Sequence, residues 1–151
     1  LNHLGEDDGE SPIFGFNEEV TLVAQVVAQA DLKGCMVGFF VCDKNGNEII
    51  GSNTFEENVR IDSLAAGEPL EVQFRFRLPL RTGSYSVTVA VAENYESLTL
   101  DWIDNAIVFQ VLPPDSGKIV YALVDHPMSV DVKLPASVSE TVVSETVIVQ
   151  N

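Results

Sequence analysis

Hydrophobic and polar residues alternate along much of this chain with a period of two. The cleanest case is residues 70–78. Leu70, Val72, Phe74, Phe76 and Leu78 fall on one side, and Glu71, Gln73, Arg75 and Arg77 on the other. Successive side chains of a strand point to opposite faces, so this pattern predicts one face in a core and one in water. Pro79 cannot donate to a ladder and ends that strand; Gly83 turns the chain. Beyond it Tyr85, Val87, Val89 and Val91 alternate with Ser84, Ser86, Thr88 and Ala90, which predicts a long central strand. Tyr85 at its start reads in two ways. It is either a tyrosine corner, its phenol bonding back to upstream backbone, or an ordinary core tyrosine.

The other segments follow the same logic. Residues 19–28 are apolar on both sets of positions, through Val20, Leu22, Ala24 and Val26 and through Val23 and Val27, which predicts a strand covered on both faces. Residues 35–43 are apolar on both faces as well. Asp43-Lys44-Asn45-Gly46-Asn47 then turns the chain, and Asn-Gly between apolar runs is a hairpin signal, with both turn residues at positive φ. Residues 47–51 return as a short strand and lead into a long connection. Residues 93–97 are a polar connection, and residues 101–105 precede a further strand at 106–111. After Pro113-Pro114, strands are expected at 118–124 and 142–149, joined by a polar segment containing Pro127 and Pro135. No segment carries helical periodicity. Many short strands separated by turns predict an all-β fold, an immunoglobulin-like or jelly-roll-type antiparallel β-sandwich.

Length and composition narrow the picture. The 151 residues suit one domain with its own core. Residues 1–12 are polar and read as a linker from an upstream domain, residues 13–151 as the sandwich, with 113–151 as its C-terminal strand extension. The first residue is Leu1 rather than Met, so a piece of a longer protein is expected. No apolar run approaches the roughly 20 residues of a spanning helix. Eight basic against 23 acidic residues leave a formal net charge of -15. Nucleic-acid backbones and anionic lipid surfaces are repelled by such a chain, so neither is an expected partner. Cys35 and Cys42, seven positions apart, point to opposite faces of one strand and lie roughly 23 Å apart, too far for a disulfide. Buried free thiols point to a reducing, cytoplasmic setting.

Catalytic chemistry finds little support. Nucleophilic catalysis needs a base beside the nucleophile, and the two histidines, His3 and His126, sit in no motif. Asp43, Asn45 and Asn47 mimic the opening of a calcium loop, but Glu48 and Thr54 stand where that loop needs Gly and Glu, so no metal is expected. No phosphate-binding loop is present, and no cofactor is expected. Asp101 and Asp104 would suit a glycosidase, yet among 23 acids such a pair carries little information. Binding features are better represented. Trp102 and Tyr95 are aromatics in polar connections, suited to stacking on the C–H faces of sugars; Trp102 also reads as a plug between two sheets. Gln73, Arg75 and Arg77 form an outward polar stripe, holding two of the eight basic residues.

The residues also match a known pattern. Phe39-Phe40-Val41-Cys42-Asp43-Lys44-Asn45-Gly46, Gly51-Ser52-Asn53-Thr54, Leu64 and Gly67, Phe74-Arg75-Phe76-Arg77-Leu78-Pro79-Leu80, Gly83-Ser84-Tyr85, and 101–111 with Phe109 and Val111 follow in order. This series resembles the C-terminal domain of Wzt, the nucleotide-binding subunit of O-antigen polysaccharide ABC transporters. It spans Phe16 to Val111 and does not reach past Pro113. The resemblance implies a β-sandwich that binds the polysaccharide to be exported, in the cytoplasm at the inner membrane. There it sits behind an ATPase domain that pairs with the transmembrane subunit Wzm. It also implies reading of a modification on the non-reducing terminus. ATPase motifs are absent from this chain, so no enzyme is expected in it. The site residues expected are Gln73, Arg75 and Arg77 with Tyr95 and Trp102 nearby, an Arg meeting an anionic end group. The alternative functions are a protein-interaction sandwich and a glycosidase. A homodimer is expected, with a C-terminal strand paired across or exchanged between copies, against a monomer whose tail folds back on its own sheet.

Overall fold

The structure is a computed structural model and describes residues 10–93 and 99–135. His3, Tyr95 and the strand expected at 142–149 lie outside the described residues. Two sheets face each other. The smaller pairs β2 (Glu19–Val27) with β6 (Pro69–Arg77), antiparallel and in unbroken register from Glu19–Arg77 to Val27–Pro69. The larger sheet runs β1 (Ile13–Phe14), β8 (Thr99–Val111), β7 (Gly83–Glu93), β3 (Leu32–Cys42), β4 (Glu48–Asn53). β5 (Ile61–Leu64) pairs with the first residues of β3. Every pairing is antiparallel except β1 with β8, and the described residues contain no helix. The expected all-β sandwich is therefore present, with a mixed larger sheet.

Alternation decides what enters the core. Leu22, Ala24 and Val26 from β2 face Cys35, Val37, Phe39 and Val41 from β3 and Tyr85, Val87, Val89 and Val91 from β7. Phe39 lies against both β6 rings, its centroid 4.8 Å from Phe74 and 4.9 Å from Phe76. Such ring pairs contribute about 0.5–1.5 kcal/mol each beyond area burial. Tyr85 is a tyrosine corner: its phenol donates to the carbonyl of Arg81, and its ring stacks on Phe109. Burial pushes the Tyr85 phenol pKa up, and the nearby Arg81 charge partly offsets that. Cys35 points inward and Cys42 outward, both free and buried.

Several expectations need correction. The β2 outer face is open rather than covered, with Val27 57% exposed; a two-stranded sheet has no third layer over it. The β3–β4 turn carries positive φ at Gly46 but not at Asn45. Gly46 N–H donates to the Asp43 carbonyl at 3.0 Å, closing a type I turn that a left-handed glycine completes. The Asp43 carboxylate accepts from the backbone of Asn45 and Asn47 and from the Asn47 amide, at 2.8–2.9 Å. Those bonds, the Asn47 side chain's first, hold its pKa below the usual range. The Asp43 carboxylate oxygens are thus occupied in the turn. Residues 118–124 do not form a strand. They run beside residues 79–81 through one bridge, Leu80 to Val124, and backbone bonds from Arg81 N–H to Leu123 and from Asp125 N–H to Pro79. Pro79 has no N–H to continue a ladder. β1 and β5 were not expected; each is short and lacks a clear alternation of its own.

β8 also differs from expectation. It begins at Thr99 and absorbs the polar residues 101–105. Val89 pairs with Ile103 and Val87 with Ile107, so Asp104, Asn105 and Ala106 oppose Thr88 alone. Asn105 takes φ 51 in this bulge, a left-handed conformation that asparagine tolerates better than most residues. Two extra residues preserve the two-residue parity. Trp102 and Phe109 thereby keep the faces that their partners Ala90 and Tyr85 dictate.

Candidate functional site

The outer face of the larger sheet holds a groove of about 420 Å³, within the usual size of a small-molecule site. Register explains its shape. Asn53 on β4 pairs with Gly38 on β3, Gly38 with Ala90 on β7, and Ala90 with Trp102 on β8. Paired residues share a face, so these four side chains form one row across the sheet. The row spans three inter-strand spacings, roughly 14 Å. Its middle members have a hydrogen and a methyl for side chains, and its ends an amide and an indole. The result is a trough, with Gly38 and Ala90 as floor and Asn53 and Trp102 as end walls. Phe40 and Met36, two residues either side of Gly38 on β3, flank it, and Ala92 extends the floor.

The walls are held in place. Trp102 is 47% exposed, with its ring centroid 6.2 Å from that of Phe40. Its Nε1–H donates to the Asp104 carboxylate at 2.7 Å, and the same oxygen accepts from the Thr88 hydroxyl at 3.2 Å. The β8 bulge is what brings Asp104 over Thr88, so an irregularity in the ladder fixes the indole. Phe40 lies flat over Gly51: a Cβ at Gly51 would stand 2.5 Å from Phe40 Cδ1 and 2.8 Å from the Phe39 carbonyl oxygen. Only glycine permits that ring position. Asn53 Oδ1 accepts from the Glu56 N–H at 2.9 Å, which orients the amide beside the groove-lining Glu56.

Of the residues expected to form the site, Trp102 lies in this groove and is not a plug between sheets. Gln73, Arg75 and Arg77 sit on the outer face of β6, opposite the inward Phe74 and Phe76. They are therefore on the other side of the sandwich from Trp102, and the expected juxtaposition does not occur. Two of the three are engaged locally. Gln73 donates to Glu71 at 2.7 Å and Arg77 to the Asn17 carbonyl at 2.9 Å. Bonds from Gln73 and then Gln25 lower the pKa of Glu71. Tyr95 lies outside the described residues, in the connection from β7 to β8. Sequence reasoning missed Gly38, Ala90, Asn53 and Phe40. A glycine inside the apolar run Val37-Gly38-Phe39 was the signal that could have found them, since glycine in a strand interior marks a close approach.

Little here suits nucleophilic chemistry. Burial raises the pKa of Cys35 and Cys42; at Cys42 a hydrogen bond with Thr88 partly offsets this, and Glu48, Asp104 and Asp43 add to it. Both thiols stay protonated and shielded. His126 Nδ1 lies 3.0 Å from the Pro127 carbonyl oxygen, far along the chain from the groove residues. Among the described residues no group of three or more His, Cys, Asp or Glu side chains is arranged to hold a metal.

Fold and groove together define a β-sandwich with an open aromatic trough on one sheet and its core on the other side of that sheet. A family model described as the Wzt C-terminal domain matches residues 3–126, and the chain belongs to that family. The match reaches past Pro113, further than the residues quoted from the sequence alone, and takes in the segment docked on residues 79–81. A solved structure, the crystal structure of the C-terminal domain of Wzt, is similar with a TM-score of 0.69. The two are 17% identical over 82% of this chain and 74% of that one, a likeness of fold. No curated protein matches the chain.

Proposed function

We propose that this domain binds the end of an O-antigen polysaccharide for export by an ABC transporter, and that the outer-face trough is where the glycan sits. The observation that carries this reading is the row Asn53–Gly38–Ala90–Trp102. An exposed, oriented indole stands over a floor without bulk, the arrangement a sugar ring needs to stack. Phe40 is the second ring, and Asn53 and Glu56 take hydroxyl hydrogen bonds. The domain is not the catalytic part. An ATPase domain elsewhere in the full-length protein hydrolyses ATP, and the complex with its transmembrane subunit keeps this domain at the cytoplasmic face of the inner membrane. Reading a modification on the non-reducing terminus couples completion of the glycan to export.

The working unit in this reading is a homodimer joined through the C-terminal extension. Met128, Val130, Val132 and Leu134 alternate with Ser129, Asp131 and Lys133, and each of the four apolar residues is at least 75% exposed. That is a strand pattern without a core to fill, and an open sheet edge of a second copy supplies one. Truncation after Val124 is expected to leave a monomer in light scattering, whereas a dimer that survives it moves the interface elsewhere.

Trp102 is the one tryptophan of the chain, so its fluorescence reports on the trough directly. Titration with end-modified polysaccharide should shift its emission saturably, and unmodified polysaccharide should not. Equal affinity for both would sink the terminus reading. No binding of either would leave the protein-interaction sandwich as the better account.

A further inference from the structure

We infer that the trough selects an uncharged sugar end that presents C–H groups, and rejects an anionic one; this rests on the glycan reading above and names its ligand class. The trough itself offers no arginine to meet an anionic end group. None of the eight basic residues lines the groove. Arg75 and Arg77 face away on β6. Arg81 donates to the Tyr121 carbonyl at 2.9 Å, and Lys118 pairs with Asp125 at 2.7 Å, both at the segment docked on residues 79–81. Lys44 is in the β3–β4 turn, and Arg60 lies 3.9 Å from Asp62.

Carboxylates, by contrast, are close by. Glu56 lines the groove, and Asp104 holds the Trp102 indole nitrogen at 2.7 Å. A phosphate or carboxylate ending the glycan would enter next to like charge, with no cation to pair with and a net charge of -15 behind it. The floor has the opposite preference. Gly38, Ala90 and Ala92 offer Cα–H and methyl groups, and Phe40, Trp102 and Met36 offer apolar sides. Bare C–H positions of a sugar lose nothing there, whereas an ionised group would lose hydration without gaining a partner. Discrimination thus comes from repulsion as well as attraction.

The test is a Trp102 fluorescence titration with a panel of neutral hexose oligosaccharides ended by an O-methyl group, and the same oligosaccharides ended by a phosphate monoester. Methyl-ended members should bind at least about tenfold more tightly at low salt, and the gap should narrow as salt rises to about 0.5 M and screens the repulsion. Glu56→Lys should bring the two series within about threefold of each other, because the charge that lines the groove changes sign. Phosphate-ended members that bind as well as or better than methyl-ended ones overturn the charge inference and leave the glycan reading standing. A gap that Glu56→Lys does not alter overturns its electrostatic origin. Failure of every oligosaccharide in the panel overturns the glycan reading itself.

Discussion

The two outer faces of this sandwich obey the same alternation and come out opposite in character. On β6 the outward residues Glu71, Gln73, Arg75 and Arg77 are long and polar. Gln73 bonds to Glu71 and Arg77 to the Asn17 backbone, and all four are exposed. On β3 and β7 the outward residues Gly38, Ala90 and Ala92 are short, and the bulk stands at the margins in Phe40 and Trp102. A solvated face needs length and charge; a binding floor needs the absence of both. Polarity in sequence pointed to the β6 face, the side away from the trough. A stripe of exposed charge is what an unoccupied strand face usually looks like, and exposed charges contribute little energy.

The sharpest way to break the comparison is to remove the indole. Trp102→Ala should cost about 2 kcal/mol of glycan binding, roughly thirtyfold, as truncation of a central aromatic anchor typically does. Its stability should stay close to wild type in urea, because the ring is half exposed. Gly51→Ala comes next and reads both properties. Its new Cβ meets Phe40 and the Phe39 carbonyl, so unfolding should be easier by about 1–3 kcal/mol, with weaker binding as the Phe40 ring is displaced. Tyr85→Phe then separates fold from site. Loss of its bond to Arg81 should lower stability by about 1 kcal/mol and leave affinity unchanged. Smallest of all is Arg75→Ala with Arg77→Ala, which should change stability by less than about 0.5 kcal/mol. It should also leave affinity where it was; a large loss of binding in this double variant would move the site to the β6 face.

Much of the fold was legible because it rests on parity. Residues 70–78 alternate without a fault and form β6 with Phe74 and Phe76 inward, as their positions demand. The Tyr85 strand and its corner follow from a tyrosine placed just after Gly83. Parity fails where a ladder is irregular or where tertiary geometry decides. Asp101 to Asn105 look like a loop, yet a left-handed Asn105 lets them continue β8 through a bulge. Residues 118–124 alternate like a strand and are held by only a few bonds beside Pro79, a residue that cannot extend the ladder. Of the trough, one residue, Trp102, stood out in the sequence as a candidate. The rest of the trough exists only through register. Gly38, Ala90 and Asn53 are separated widely in sequence, and nothing local says that three strands will bring them into one row.

That row is best tested by filling it. Ala90 faces out, between Gly38 and Trp102, so Ala90→Leu places a branched side chain on the floor without entering the core. Calorimetric titration of end-modified polysaccharide into this variant, checked for an unchanged β spectrum by circular dichroism, asks whether the trough is where the glycan binds. Binding at least about thirtyfold weaker than wild type is the expected result. Wild-type affinity in a folded Ala90→Leu chain would contradict it.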